Sequence, residues 1–267
     1  MAIKEASVHT LGELIDQVTP SEPDADTGRH RDTGVYRGMK SASWTLLTSL
    51  DRLGGTHPPH TKTRLEAHIL RNFIRYSRPY LSGRPANDWE YLVAAQHHGV
   101  PTRLLDWTYS PLIAAHFATL PRSDGQERDR AVWRLDWQRV HRHFGFPVLA
   151  LGLDDMGRAM NTEKPLTPWE LFETDARKHP FACMVEPPSV DERLVGQAAA
   201  FTLCSDNTQS FDAFLAQHGL SDALSRITIP TADVPRIRDQ LDMVGADERR
   251  LFPDLDGVAA KLRRYYA

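Results

Sequence analysis

The run His97-His98-Gly99-Val100-Pro101-Thr102-Arg103-Leu104-Leu105-Asp106-Trp107-Thr108 separates two apolar stretches. Before it lies Trp89-Glu90-Tyr91-Leu92-Val93-Ala94-Ala95-Gln96, and after it Pro111-Leu112-Ile113-Ala114-Ala115-His116-Phe117-Ala118. The apolar spacing of both predicts helices, over 88–98 and 109–119. Gly99 and Pro101 restrict the backbone between them. A rigid polar loop framed by two helices is expected to form one wall of a site.

The chain of 267 residues is long enough to bury a large core. We expect an N-terminal extension over residues 1–30 and one catalytic-type domain over 31–267. A formal net charge of −3 supplies no global basic field for nucleic acid. Two cysteines, Cys183 and Cys204, lack paired spacing, which argues against a disulfide framework or a thiolate zinc site. The first residues have no apolar run of signal-peptide kind, and no stretch has the roughly 20 apolar residues of a membrane span. The expectation is a soluble, cytoplasmic protein with no membrane partner.

Along the chain, a short amphipathic pattern over 8–17 is followed by a polar loop over 19–26. Val35-Tyr36-Arg37-Gly38 reads as a short strand, and residues 44–53 as the start of a helix stopped by Gly54-Gly55. Residues 62–80 read as a helix with Leu65, Ile69, Phe73 and Tyr76 on one stripe. Strands are expected over 131–136, 181–186, 198–203 and 226–230, and helices over 231–243 and 256–266. Helices first and strands later, with non-local pairing, give an α+β class.

Three arginine-centred spots carry the chemistry. In Tyr36-Arg37-Gly38, a guanidinium fork near a strand end suits phosphate or carboxylate, and the glycine could let the backbone approach a ligand. An ordinary surface salt bridge explains the same tripeptide. In the second spot, Arg103 and Asp106 are close enough to pair, Trp107 could stack on a planar ring, and Thr108 and Ser110 offer hydroxyls. The plain alternative is a polar network in which Asp106 caps the next helix. In Glu192-Arg193-Leu194-Val195-Gly196-Gln197, a strand start could aim Glu192 or Gln197 into a cleft, or the loop could carry solvated charges. The histidines make no metal set. His97-His98 are adjacent, His57, His60 and His68 lack zinc-protease spacing, and His141 and His143 alternate as on one face of a strand or loop. Serine-hydrolase, P-loop and Rossmann signatures are missing. Arg64, Arg71, Arg75, Arg78 and Arg84 could form one basic stripe, or simply a solvated helix face.

Taken in order, Tyr36-Arg37-Gly38, the Gln96–Pro111 segment and Arg193-x-x-x-Gln197 resemble the FRG domain family, named for its aromatic-Arg-Gly motif. The ending Leu251–Ala259 is similar to that family's close, so the resemblance spans about 35–262. A second resemblance, to ADP-ribosyltransferases of the arginine-serine-glutamate type, rests on Tyr36-Arg37-Gly38 and on Asp106–Pro111 followed by Ala114-Ala115-His116-Phe117-Ala118. Here the chain departs from the pattern: Gln197 stands near the expected glutamate, with Glu192 and Glu186 nearby.

This second resemblance implies helices packed on a mixed, split β-sheet around a central cleft, with NAD as substrate. It implies catalytic roles for Arg37, Thr108, Gln197 and Glu192. Tyr36, Arg37, Gly38, His98, Arg103, Asp106, Trp107, Thr108, Ser110 and Phe117 would hold NAD, and Arg193 with Gln197 would line the acceptor side. The implied protein is a toxin or anti-phage defence effector that modifies a nucleic acid or protein, with an antitoxin as a further partner. Cleaving the nicotinamide bond develops oxocarbenium character, which carboxylates stabilise. Glutamine can orient a hydroxyl but cannot act as a base. If Gln197 takes the glutamate's place, Glu192 or Asp106 supplies the charge, or the module only senses a nucleotide or a partner.

Overall fold

The computed structural model describes residues 2–54, 57, 60–81, 85, 87–122, 124–148, 151–152, 167–173, 179–187 and 196–266. The fold is mixed α+β. Eight strands form one mixed sheet: β1 (Lys4–Ser7), β2 (Val35–Met39), β3 (Leu105–Thr108), β4 (Arg130–Leu135), β5 (Leu151–Gly152), β6 (Ala182–Glu186), β7 (Ala199–Cys204) and β8 (Leu224–Ile229). Their order is β1-β8-β4-β2-β3-β7-β6-β5. The β1–β8 and β5–β6 pairs are parallel and the others antiparallel.

The pairing is uneven. β4 pairs with β8 from Arg130↔Ile229 to Leu135↔Leu224, whereas β2 and β3 meet through one pair, Tyr36↔Thr108. Two half-sheets therefore join at a narrow hinge of backbone pairing. Side chains alternate across a strand, so each half-sheet has two faces to cover. One continuous cluster covers one face of both halves: Val35, Met39, Leu105, Trp107, Trp133, Met184 and Ala200 pack there with α5 (Trp137–Phe144) and α7 (Phe211–Gln217).

The other face is covered in two blocks. Tyr36, Val132, Ile227 and Ile229 pack against α1 (Leu11–Val18), α4 (Pro111–Thr119) and α8 (Val234–Met243). Cys183, Val185, Phe201 and Leu203 pack against α2 (Lys62–Ser77), α3 (Asp88–His97) and α6 (Pro168–Glu173). Two further helices, α9 (Glu248–Leu251) and α10 (Leu255–Tyr265), close the described chain.

Several expectations change. The polar loop after Gly99 contains strand β3, which lies at the middle of the sheet. Residues 44–53 form no α-helix; only Asp51–Leu53 make a 3-10 turn. Distant groups hold that segment instead, with Leu46 N donating to Asp212 and Leu50 N to the Thr102 carbonyl. His141 and His143 belong to α5, which Asp136 caps and left-handed Gly145 (φ 71°) ends. The buried side of α2 is Glu66 and Leu70, while Ile69, Phe73 and Tyr76 of the expected stripe line an open groove that Leu65 does not reach. Among the described residues no helix is long and apolar enough to cross a membrane.

Candidate functional site

Where β2 and β3 part, a cleft of about 420 Å³ opens, within the range of small-molecule sites. Arg37 and Asp106 reach it from the two diverging strands, Gln96 from the end of α3, Phe117 from α4, Arg52 from the 3-10 turn and Gln197 from just before β7. The aromatic-Arg-Gly tripeptide divides its labour. Tyr36 is buried and hydrogen-bonded to Asp32, which also pairs with Arg134. Burial, followed by that carboxylate, holds the Tyr36 phenol far above its ordinary pKa, so it stays protonated.

Gly38 lines the cleft and also makes a close helix contact. A Cβ there would lie 2.0 Å from the Ala114 carbonyl oxygen and 2.5 Å from Ala118 N. Only a bare α-carbon lets α4 approach β2 this closely. Of the tripeptide, Arg37 alone turns polar chemistry towards the cleft.

Arg37 Nη1 donates to the Asp106 backbone carbonyl at 2.6 Å and to its Oδ2 at 3.3 Å. Its Nε is buried and has no hydrogen-bond partner among the described residues. Gln96 donates to Asp106 Oδ1 at 2.8 Å and accepts from Thr102 Oγ1 at 2.5 Å. These bonds orient the Asp106 carboxylate, whose side chain is 53% exposed, at the cleft edge. A second cation stands close by: Arg52 donates to the Leu47 carbonyl at 3.1 Å. Its pKa is lowered by partial burial and then by the positive Arg37 guanidinium. Two guanidinium groups thus crowd one carboxylate, a field that favours an anionic ligand.

The start of β7 is built around an unusual backbone. Ala198 has φ 45°, the left-handed region that costs an L-residue with a Cβ. Bonds on both sides hold it there. Thr108 Oγ1 donates to the Gln197 carbonyl at 2.7 Å, and Tyr109 N donates to the Ala198 carbonyl at 3.1 Å. Gln197 Nε2 donates to the Leu251 carbonyl at 3.1 Å, tying the glutamine to α9. Phe117 meets Phe252 edge-on, so the C-terminal segment braces two residues of the cleft wall.

The other expected residues lie as follows. Arg103 is outside the cleft, fully buried, with Nε 2.6 Å from Glu66 Oε2 and its guanidinium 3.6 Å over the Phe172 ring. Trp107 is among the residues lining the cleft, but it is 3% exposed, donates to Thr202 Oγ1 at 3.0 Å and packs edge-on against Phe211, so most of it is held in the core. The Thr108 hydroxyl is occupied by the Gln197 carbonyl and by Ser110 N. Ser110, not Asp106, caps α4, accepting from Ile113 N with Pro111 in the first turn.

His98 ends α3 on the outer surface and lines a different groove, while His97 lines the cleft. Glu186 accepts from Tyr109 OH at 2.5 Å. Glu192, Arg193 and Arg84 lie outside the described residues. Among the described residues no group of three His, Cys, Asp or Glu side chains is placed to hold a metal.

Arg52 and the bridging role of Gln96 were not legible in the sequence. Arg52 sits in a segment read as helix, and only the long-range contacts of residues 46–50 bring it to the cleft. Residues 32–130 match the FRG domain family, a span from before β2 to the first residue of β4. The match takes in both Tyr36-Arg37-Gly38 and the Gln96–Pro111 segment, and Gln197 falls beyond it. No curated protein and no solved structure matches the chain.

Proposed function

We propose that this FRG-domain chain binds NAD in the cleft between β2 and β3 and transfers the ADP-ribosyl group to a nucleic-acid or protein acceptor. The observation that carries the reading is the Arg37–Asp106–Arg52 arrangement at the single-pair junction of the half-sheets. Arg37 keeps a buried, unpartnered Nε, and Arg52 adds a second guanidinium. Such a pair suits the two phosphates of a dinucleotide. The narrow β2–β3 junction and the cleft beside it are what an ADP-ribosyltransferase-like split sheet requires.

In the proposed reaction the bond from ribose C1′ to the nicotinamide nitrogen breaks, its electron pair leaving with neutral nicotinamide. An acceptor nucleophile then bonds to C1′ and loses its proton. Positive charge gathers on the ribose between these events, and a nearby carboxylate lowers the barrier. Asp106 is the carboxylate lining the cleft among the described residues, and Arg37 and Gln96 hold it in place. Gln197 contributes an amide that can orient a hydroxyl but cannot supply charge.

The uncharged Gln197, tethered to Leu251, favours a second reading: a module that senses a nucleotide without turning it over. Labelled NAD incubated with the protein and a cell lysate, beside Arg37→Ala and Asp106→Asn, separates the two. Label on a macromolecule and nicotinamide release, both lost in the variants, support transfer. Calorimetric binding of NAD without release supports the sensor, and neither binding nor consumption sinks both.

A further inference from the structure

Helix α2 presents a long basic face that the proposed cleft chemistry does not use. Residues 62–80 carry Lys62, Arg64, Arg71, Arg75 and Arg78 against a single carboxylate, Glu66, in a chain of net charge −3. Glu66 is buried and committed to Arg103, so nothing acidic on the helix offsets the outer arginines. At 3.6 residues per turn Arg64, Arg71, Arg75 and Arg78 fall within an arc of about 60° and span roughly 21 Å. All four are exposed.

Beside this ridge runs an open, mostly apolar groove of about 450 Å³, whose wall includes Ile69, Phe73, Tyr76, Tyr80, His98 and Val100. Tyr76 is 63% exposed and Tyr80 86%, and Arg75 lies 5.3 Å from the Tyr76 ring centre. Exposed aromatic rings flanking a line of arginines match what an unpaired nucleic-acid strand needs. Bases stack on the rings while phosphates follow the cations. A duplex hides its base faces, so the tyrosines select for single strands. The groove adjoins the cleft: Val100 lines both, with His97 lining the cleft and His98 the groove.

We infer that the α2 face is a docking surface for single-stranded nucleic acid, the acceptor class of the reaction proposed above. The acceptor role rests on the transferase reading, whereas strand binding does not. Lys62 is paired with Asp51, and Arg71, Arg75 and Arg78 form the phosphate ridge. Tyr76 and Tyr80 are the stacking platform.

The test is fluorescence anisotropy of the full chain with short fluorescein-labelled mixed-sequence DNA and RNA strands, titrated with salt in the absence of NAD. Expected are dissociation constants of about 10⁻⁶–10⁻⁴ M and weaker binding of the matching duplex. Arg71→Gln, Arg75→Gln and Arg78→Gln together should flatten the log–log salt slope by about 2. Tyr76→Leu with Tyr80→Leu should weaken binding by roughly thirtyfold or more. All five positions are solvent-facing or half-buried at most, and matched thermal melts show that the variants fold.

Absent binding of either strand overturns the inference, as does an equally tight duplex or variants that bind like the parent. Displacement of the strand by polyglutamate at matched charge concentration, with equal affinity, also overturns it and points to an acidic protein. Strand binding that depends on α2 without NAD consumption sinks the transferase reading and leaves the surface standing. NAD consumption without α2-dependent strand binding sinks the surface alone.

Discussion

Arg37 and Arg103 belong to two motifs of one family pattern, yet their surroundings make them different kinds of residue. Arg103 and its partner Glu66 are each 1% exposed; the ion pair, a bond from Arg103 Nη2 to Thr63 Oγ1 and the Phe172 ring surround the guanidinium, leaving Nη1 buried without a partner among the described residues. It bolts α2 to the start of the β3 segment. Arg37 is 14% exposed against a carboxylate that is 53% exposed, and its Nε remains without a partner among the described residues. Each guanidinium leaves one buried nitrogen unpartnered among the described residues, so the comparison teaches that a functional arginine is recognised by the cleft and the open carboxylate it faces. Arg103 is stability, and Arg37 is capacity.

The largest expected effect would break the buried member. Arg103→Met should lower unfolding free energy by about 3–5 kcal/mol in urea melts, because Glu66 is left buried without its cation. Arg103→Met with Glu66→Leu should recover most of that loss, since the unpaired charge goes too. A double variant as unstable as the single one would show that the pair is not what matters.

A second buried group sharpens the same contrast through pH. His116 is fully buried beside Arg238, and its pKa falls to about 4, from burial first and that guanidinium second. Between about pH 6.5 and 4 the unfolded chain takes up this proton and the folded chain does not. Stability should therefore fall as pH drops through that window, by on the order of 3 kcal/mol at most. His116→Gln should flatten this part of the profile in denaturant melts. The neighbouring Glu248, despite burial, is held down to about 2 by Arg264 and Arg238, so its own loss begins at lower pH.

Gly38→Ala should cost about 1–3 kcal/mol or force α4 to shift, because the added methyl has no room against the α4 backbone. Thermal melts read the cost, and displaced Phe117 would lower ligand affinity as well. The smallest stability change belongs to Arg37→Ala, within about 1 kcal/mol, as its pair with Asp106 is open to solvent. Affinity for ADP-ribose should nevertheless fall about ten- to a hundredfold by calorimetry. If Arg37→Ala proves as destabilising as Arg103→Met, the contrast between the two regions is gone.

Much of this arrangement was legible early. The periodicity of residues 62–80, 88–98 and 109–119 marked α2, α3 and α4, alternation marked β4, and short apolar runs marked β6, β7 and β8. α5 was missed because His141 and His143 read as one face of a strand or loop; Asp136 as a cap and Gly145 as a stop were the signals available. β1 was illegible because Lys4-Glu5-Ala6-Ser7 has no pattern of its own and depends on parallel pairing with β8. β3 looked like a loop because its strand is short and its partners on β2 and β7 are distant in the chain, with Tyr36↔Thr108 72 residues apart and Asp106↔Phe201 95 apart.

The sequence by itself determined the mixed helix–strand character, the motifs that match the FRG domain and the density of polar groups around Asp106. Local periodicity, capping and residue chemistry suffice for these, since each depends on neighbours a few residues apart. Tertiary structure alone decided which of those polar groups face the cleft. It buried Arg103 against Glu66, turned Trp107 into the core, spent the Ser110 hydroxyl on a cap, and brought Arg52 and Gln197 beside Arg37. Such choices depend on which donors and acceptors are satisfied after packing, and packing joins residues far apart in the chain.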